Sequence, residues 1–317
     1  MRLGLWFGRT EDTMPDSNSP PVEIPEAEST ASTFPRDRPK EPTVRAPVGA
    51  CDCHLHMVAG PAELPMVDRR ADDPVAGHGF EGWMGLLRVH LDAIGCTRGV
   101  VVQSVIYGAD NHVTIEAVRR LGEQFRGVAL VTDEVQDGTL DHLSHHRMKA
   151  VRVNRVHGGP LNWEGAEALA PRLADRGMHI EMLIHADRDL PALADRIAAL
   201  PVPVVIDHCG WPSSAEMSGE GIDALCRLVQ GGQVWVKLSG LYRFTPRPHL
   251  ESDDLVRRLV EANPGRCVWG SDWPHLLLGE AEMPDAGVLF DAFTRVVEDT
   301  QTRQRILVDN PATLYGF

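Results

Sequence analysis

Two histidines one residue apart, His54 and His56 in the run Ala50-Cys51-Asp52-Cys53-His54-Leu55-His56, offer chemistry before any fold is known. On a β-strand, residues two apart point to the same face, so both imidazoles converge on one spot. Convergent imidazoles suit a divalent metal or a substrate anion. Two later apolar runs end just as abruptly in polar groups: Val204-Val205-Ile206-Asp207-His208, and Val268-Trp269-Gly270-Ser271-Asp272-Trp273-Pro274-His275. By the same alternation Cys51 and Cys53 are expected to face away from His54 and His56, as packing residues.

Ends so far apart in sequence need elements that bring them together. Short apolar, β-branched runs at 50–57, 99–106, 127–132, 149–154, 178–184, 203–207, 233–238 and 266–270 read as strands. Amphipathic runs such as 83–94, 113–125, 166–174, 190–200, 222–229 and 254–262 read as helices. Eight strands alternating with helices predict an α/β fold, a (β/α)8 TIM barrel forming a single domain over 46–317. The other arrangement, an open doubly wound sheet, usually carries a Gly-rich phosphate loop after its first strand; here His56 is followed by Met57-Val58-Ala59-Gly60-Pro61. Residues 1–45, rich in Pro, Ser, Glu and Thr and without periodicity, read as a flexible, disordered N-terminal extension.

In a barrel the C-terminal strand ends carry the site. In chain order they present His54 and His56, then Gln103, Ser104 and Tyr107, then Arg152, Asn154 and Arg155. His185, His208, Lys237 with Tyr242 and Arg243, and finally Asp272 with His275 follow. A guanidinium keeps its charge and needs an anionic partner, so Arg152 within a strand expects either a substrate anion or a structural carboxylate. Plainer readings stand beside the others. His185 and His208 could be hydrogen-bonded rim groups, Asp272 could cap a following helix, His275 could be a surface loop residue, and Lys237 and Tyr242 could be satisfied core or rim groups. His90, His112, His142, His145 and His146 fall in or beside helical stretches and receive no role.

The chain has 317 residues, 43% of them apolar, ample for a buried core, and a formal charge of −14. That charge argues against nucleic acid and anionic membrane surfaces as partners, and makes clustered arginines more telling. No apolar run approaches the ~20 residues that span a bilayer, and the N-terminus lacks the apolar stretch of a signal peptide. Six scattered cysteines suit reduced thiols in a cytoplasmic protein.

Together His54-Leu55-His56, Ile206-Asp207-His208-Cys209-Gly210 and Trp269-Gly270-Ser271-Asp272-Trp273-Pro274-His275 resemble the signature of the amidohydrolase superfamily. More narrowly, they resemble its branch of 2-pyrone-4,6-dicarboxylate lactonase and sugar-lactone hydrolases, over residues 48–315. The resemblance implies hydrolysis of a carboxylated lactone, with Asp272 as general base and His54, His56 and His208 polarising the carbonyl. It further implies substrate contacts from Arg152 and Arg243, with Arg155, Ser104 and Tyr107 as further candidates. Many superfamily members carry a bridging lysine at the fourth strand end; Arg152 stands there, against a two-metal site. That branch works without metal, so no cofactor is expected, although His54, His56 and Asp272, with His185 or His208, could hold one Zn²⁺. The partner expected is a small anionic lactone, and assembly into a homo-oligomer stays open. The rivals are a lactone isomerase, a metal-dependent decarboxylase on the same barrel, and a non-catalytic binding barrel.

Overall fold

In the computed structural model the described residues are 35, 37–67, 78–278 and 282–317. Of the extension expected over 1–45, residues 1–34 and 36 lie outside them. Part of the remainder is held to the body: the backbone N–H groups of Lys40 and Thr43 donate to Asp285 at 3.2 Å and to Asp291 at 2.6 Å.

Eight short strands form where β-branched and apolar residues run together. They are β1 (Cys51–Leu55), β2 (Arg98–Val102), β3 (Phe125–Ala129), β4 (Met148–Asn154), β5 (His179–Leu183), β6 (Val204–Ile206), β7 (Val234–Leu238) and β8 (Cys267–Trp269). Helices return the chain between them: α1 (Phe80–Ile94), α2 (His112–Leu121), α3 (Asp137–His145), α4 (Trp163–Ala174), α5 (Ala186–Ala198), α6 (Glu220–Gln230) and α7 (Asp253–Ala262). After β8 come α8 (Ala286–Val296), α9 (Thr300–Gln304) and α10 (Asn310–Tyr315). In α1 the residues Phe80, Trp83, Met84, Leu87, Leu91 and Ile94 recur at helical spacing and bury one face. Among the described residues no helix is long and apolar enough to cross a membrane.

Each strand pairs in parallel with the next, in the order β1 to β8. The seam between the last and the first closes just beyond the strand ends. There His56 N–H donates to the Trp273 carbonyl at 2.7 Å, and Asp272 N–H to the His54 carbonyl at 2.9 Å. Gly270 permits this approach, since a Cβ there would lie 2.6 Å from the His54 Cβ and 2.7 Å from its backbone nitrogen. The expected (β/α)8 barrel is therefore the observed fold, and the seam places His54 beside Asp272.

The core has two parts. One lies between the sheet and its helices; the other fills the cylinder with Cys51, Cys53, Val100, Val102, Val128, Ala150, Val205, Trp235 and Val268, and Tyr315 joins it. The expected orientation of Cys51 and Cys53 needs correction, because both lie in that inner cluster while His54 and His56 also reach the barrel mouth. The cause is a bulge: Asp52 pairs with Gly99 but Leu55 with Val101, so β1 spends one extra residue against β2. An extra residue breaks the two-residue alternation, and consecutive side chains then share a face.

Candidate active site

Asp272 stands at the centre. It follows β8 with φ of 65°, in the left-handed region that Asp tolerates better than most residues, and among the described residues the next helix starts only at Ala286, too far along the chain for Asp272 to cap. Its two carboxylate oxygens face different groups. Oδ2 accepts from the Tyr242 hydroxyl at 2.6 Å and from Arg243 Nε and Nη2 at 2.9 and 2.7 Å. Oδ1 faces His56 Nε2 at 3.2 Å and His54 Nε2 at 3.5 Å. Burial alone would raise the carboxyl pKa, but the Arg243 guanidinium, His208 and the His56 contact outweigh it and hold Asp272 well below the usual carboxylate range.

Each imidazole is oriented from behind. His56 Nδ1 meets the Val102 carbonyl at 2.8 Å, a contact only an N–H can make, so Nε2 is the nitrogen turned to Asp272. His208 Nδ1 meets Ser239 Oγ at 2.9 Å, and its Nε2 lies 3.6 Å from Asp272 Oδ2. Its ring packs on Gly240, φ 65°, where a Cβ would come within 2.7 Å of the imidazole. Burial, with Arg243 and Arg152 nearby, lowers the His208 pKa to about 3, so the ring is neutral at ordinary pH. His54 Nδ1 lies 3.2 Å from Lys237 Nζ and 3.3 Å from Asp207 Oδ1. An ammonium only donates, so Nδ1 accepts from Lys237 and the proton of neutral His54 sits on Nε2, aimed at the gap beside Asp272. Burial and Lys237 together push His54 well below its ordinary value, which keeps it neutral.

Beneath this rim runs a buried ionic network. Lys237 Nζ meets Glu181 Oε2 at 2.6 Å and Asp207 Oδ1 at 3.3 Å, while Arg152 Nε and Nη2 hold Asp207 Oδ2 at 3.1 and 2.9 Å. Glu181 Oε1 accepts from the Tyr315 hydroxyl at 2.8 Å, which links the far end of the barrel to the site. Both carboxylates stay ionised: burial opposes their charge, and Lys237 chiefly overrides it, with help from His54 and Arg152 at Asp207 and from His179 at Glu181.

The other expected residues fall in varied places. Arg152 takes the structural partner Asp207, yet also lines a small inner cavity of about 20 Å³ together with Ser104, His56, His208 and Arg243. Tyr107 turns its hydroxyl to the backbone of Ala59, accepting from N–H at 2.8 Å and donating to the carbonyl at 3.1 Å. Arg155 pairs with Asp189 at 3.0 Å with its side chain 40% exposed. His185 contacts the Trp211 carbonyl at 2.9 Å and lines a separate outer vestibule of about 780 Å³. His275 is buried, its ring edge-on to Tyr242 at 5.3 Å, and not a surface residue. Asn154 borders that inner cavity as expected of a strand end, whereas Glu181 and His157 join the site or its support without having been singled out. The signal for Glu181 was available, because a carboxylate inside the apolar strand His179-Ile180-Glu181-Met182-Leu183 needs a buried partner.

Among the described residues one group of three donors could hold a metal: His54, His208 and Asp272, with candidate ligand atoms within 4.8 Å of one another. His54 Nε2 and Asp272 Oδ1 are buried without a hydrogen-bond partner, and the imidazole–carboxylate donor set suits Zn²⁺ once His54 Nε2 gives up its proton.

Comparison with known proteins places the chain among relatives of the same fold. The family described as amidohydrolase matches residues 51–317. A 2-pyrone-4,6-dicarboxylate hydrolase of Comamonas testosteroni is 32% identical over 292 residues, 87% of this chain and 93% of its own length. A 4-sulfomuconolactone hydrolase of Rhizobium radiobacter is 32% identical over 305 residues, covering 94% of this chain and 96% of its own. A D-galactarolactone isomerase of Agrobacterium fabrum is 26% identical over 282 residues, 86% of this chain and 93% of its own. Among solved structures, one from Pseudomonas putida described as a 2-pyrone-4,6-dicarboxylic acid hydrolase superposes with a TM-score of 0.71 at 27% identity, covering 85% of this chain and 98% of its own. A zinc-containing Burkholderia multivorans amidohydrolase shares the fold, with a TM-score of 0.61 at 16% identity over 84% of this chain and 99% of its own. This chain belongs to the amidohydrolase family.

Proposed function

We propose that this protein is a lactonase that opens the ring of a small, carboxylated lactone by hydrolysis. The observation that carries the reading is the setting of Asp272: one carboxylate oxygen faces imidazole nitrogens, and the other meets an arginine that, like Arg152, borders the same cavity. The hydrolases named for a pyrone dicarboxylate and a sulfomuconolactone, each 32% identical over most of the chain, support an anionic lactone as substrate.

Hydrolysis needs a proton acceptor for water, a donor to the carbonyl oxygen and a clamp on the substrate. Asp272 Oδ1, which has no other hydrogen-bond partner, takes the proton as general base. His54 presents Nε2–H toward the gap and, with neutral His208, stabilises negative charge growing on the carbonyl oxygen, while His56, held by Val102, fixes the position of Asp272. Arg243, with Arg152 behind it, recognises the substrate carboxylate. Ser104, which borders the same cavity, is a further contact, whereas Tyr107 and Arg155 act on neighbouring backbone and on Asp189.

If bound, one Zn²⁺ on His54, His208 and Asp272 would supply Lewis-acid polarisation of the carbonyl. The chain's own charges already balance there: Arg152, Lys237 and Arg243 face Glu181, Asp207 and Asp272. That balance supports the expectation of turnover without added metal.

The test is a panel of carboxylated lactones on purified protein, with product identified by NMR and metal measured on the same sample. One new acid group per turnover, persisting after chelation and abolished in Asp272→Asn while the lactone still binds, is the expected result. A rearranged lactone with no acid released would make the chain an isomerase, and released carbon dioxide a decarboxylase. Near-normal turnover by Asp272→Asn would remove the base assignment.

A further inference from the structure

Arg243 is the wall between two cavities of very different size. It borders the inner cavity of about 20 Å³ and the outer vestibule of about 780 Å³. The inner one has room for about one water and none for a lactone, whereas the outer one has the size of a small-molecule site. Among the described residues Arg243 alone lines both, and it is bound to Asp272, so a substrate entering from the outer vestibule meets Arg243 on its way to the base.

The present hold of Arg243 is strong in charge and poor in shape. Both of its contacting nitrogens, Nε and Nη2, converge on the single oxygen Oδ2, although the guanidinium fork matches the two oxygens of a carboxylate. The same Oδ2 also accepts from Tyr242, so three donors crowd one atom while Oδ1 faces only the more distant imidazoles of His54 and His56. The guanidinium carbon lies 4.8 Å from the Trp211 ring centroid and 4.9 Å from that of Tyr242. Trp211 and Tyr242 both line the outer vestibule, so a cation moving outward stays in contact with aromatic faces.

We propose that Arg243 is a latch released by the substrate's own anionic group: a carboxylate arriving through the outer vestibule draws the guanidinium off Asp272, joining the two cavities and freeing the base in one movement. The inference rests on the lactonase reading above and adds to it a requirement. The anionic group of the substrate is needed for the chemical step as well as for affinity. A neutral lactone leaves the latch closed, with the general base still neutralised by its own arginine.

Two measurements test this, one of them independent of turnover. The first uses a lactone with a free carboxylate and the same lactone as its primary amide. In the wild type the amide should show a kcat lower by about tenfold or more, a change in kcat and not only in KM. Added formate should raise the kcat of the amide, because it opens the latch in trans. In Arg243→Met the difference in kcat between the two lactones should collapse to within about twofold. Equal kcat for both lactones in the wild type, or an unchanged ratio in Arg243→Met, would reduce Arg243 to a simple clamp and overturn the proposal.

The second measurement titrates malonate against the fluorescence of Trp211, isolated as the difference between the wild type and Trp211→Phe. A saturable change in the wild type that is lost in Arg243→Met is expected; no malonate-dependent change in the wild type would overturn the latch even if no lactone were ever turned over. Malonate binding of that kind together with no hydrolysis of any lactone would instead sink the lactonase reading and leave the latch standing. Where Arg243→Met fails to fold, Arg243→Lys takes its place, since a lysine has no fork to exchange between carboxylates.

Discussion

Lys237 sets the proton of His54. As a fully buried ammonium between Glu181, Asp207 and His54 Nδ1 it compensates two carboxylates and forces the imidazole to present Nε2–H. Replacing it with Met should leave that pair of acids without their main counter-charge. Loss of one partner from a buried ionic group costs about 3–5 kcal/mol, so Lys237→Met should lower the urea midpoint accordingly, along with turnover. A variant as stable as the wild type would mean that the network is not ionised as described. At this scale much was legible in the sequence: a lysine and an arginine at strand ends in an acidic protein stand out because neither is buried unpaired. Their partners were harder to read. Arg152 could be expected to meet either a substrate or a structural carboxylate, and only the parallel arrangement of β4, β5 and β6 brings Asp207 to it. Tyr315, reaching Glu181 from the last helix, had no local signal at all.

At the scale of elements, the seam between β8 and β1 carries the positioning. Gly270 lets β8 approach His54, and Asp52 holds both sides of the seam by accepting from the backbone N–H groups of His54 at 3.2 Å and Ser271 at 2.9 Å. Gly270→Ala would drive a methyl group into the Cβ and backbone of His54. Such overpacking costs about 1–3 kcal/mol, and because the strain falls on the catalytic pair, activity should drop further than the loss of stability explains. Unfolding curves and kcat measured on one preparation check this, and an alanine variant with unchanged kcat would show that the seam can spread without moving the site. The alternation of strand and helix was readable because the apolar runs were short, β-branched and punctuated. Two things were not. The bulge in β1 reversed the expected facing of Cys51 and Cys53, since strand parity fails where an extra residue is inserted. Helix α3 was not picked out, because its buried apolar face is only Leu140 and Leu143.

For the whole molecule, the buried histidines tie stability to pH. His208 and His275 are both driven from 6.5 to about 3, chiefly by burial, so each stays neutral in the folded protein. The unfolded chain protonates them below its ordinary value of 6.5, and folding stability is therefore full above that pH and lost as pH falls. Each contributes a slope of about 1.4 kcal/mol per pH unit. Between pH 7.5 and 5.5 the urea midpoint should fall accordingly, well before the depressed carboxylates of Asp207 and Asp272 begin to titrate. A flat profile over that range would contradict neutral, buried imidazoles.

The Tyr315 hydroxyl, bound to Glu181, gives the catalytic rim a root at the opposite end of the cylinder. The underside of such a barrel ordinarily answers only for stability. Here it also steadies Lys237 and, through it, the tautomer of His54. Sequence drift in the final turn would therefore register as slower chemistry with substrate affinity largely intact, although no atom of that turn approaches the reacting bond.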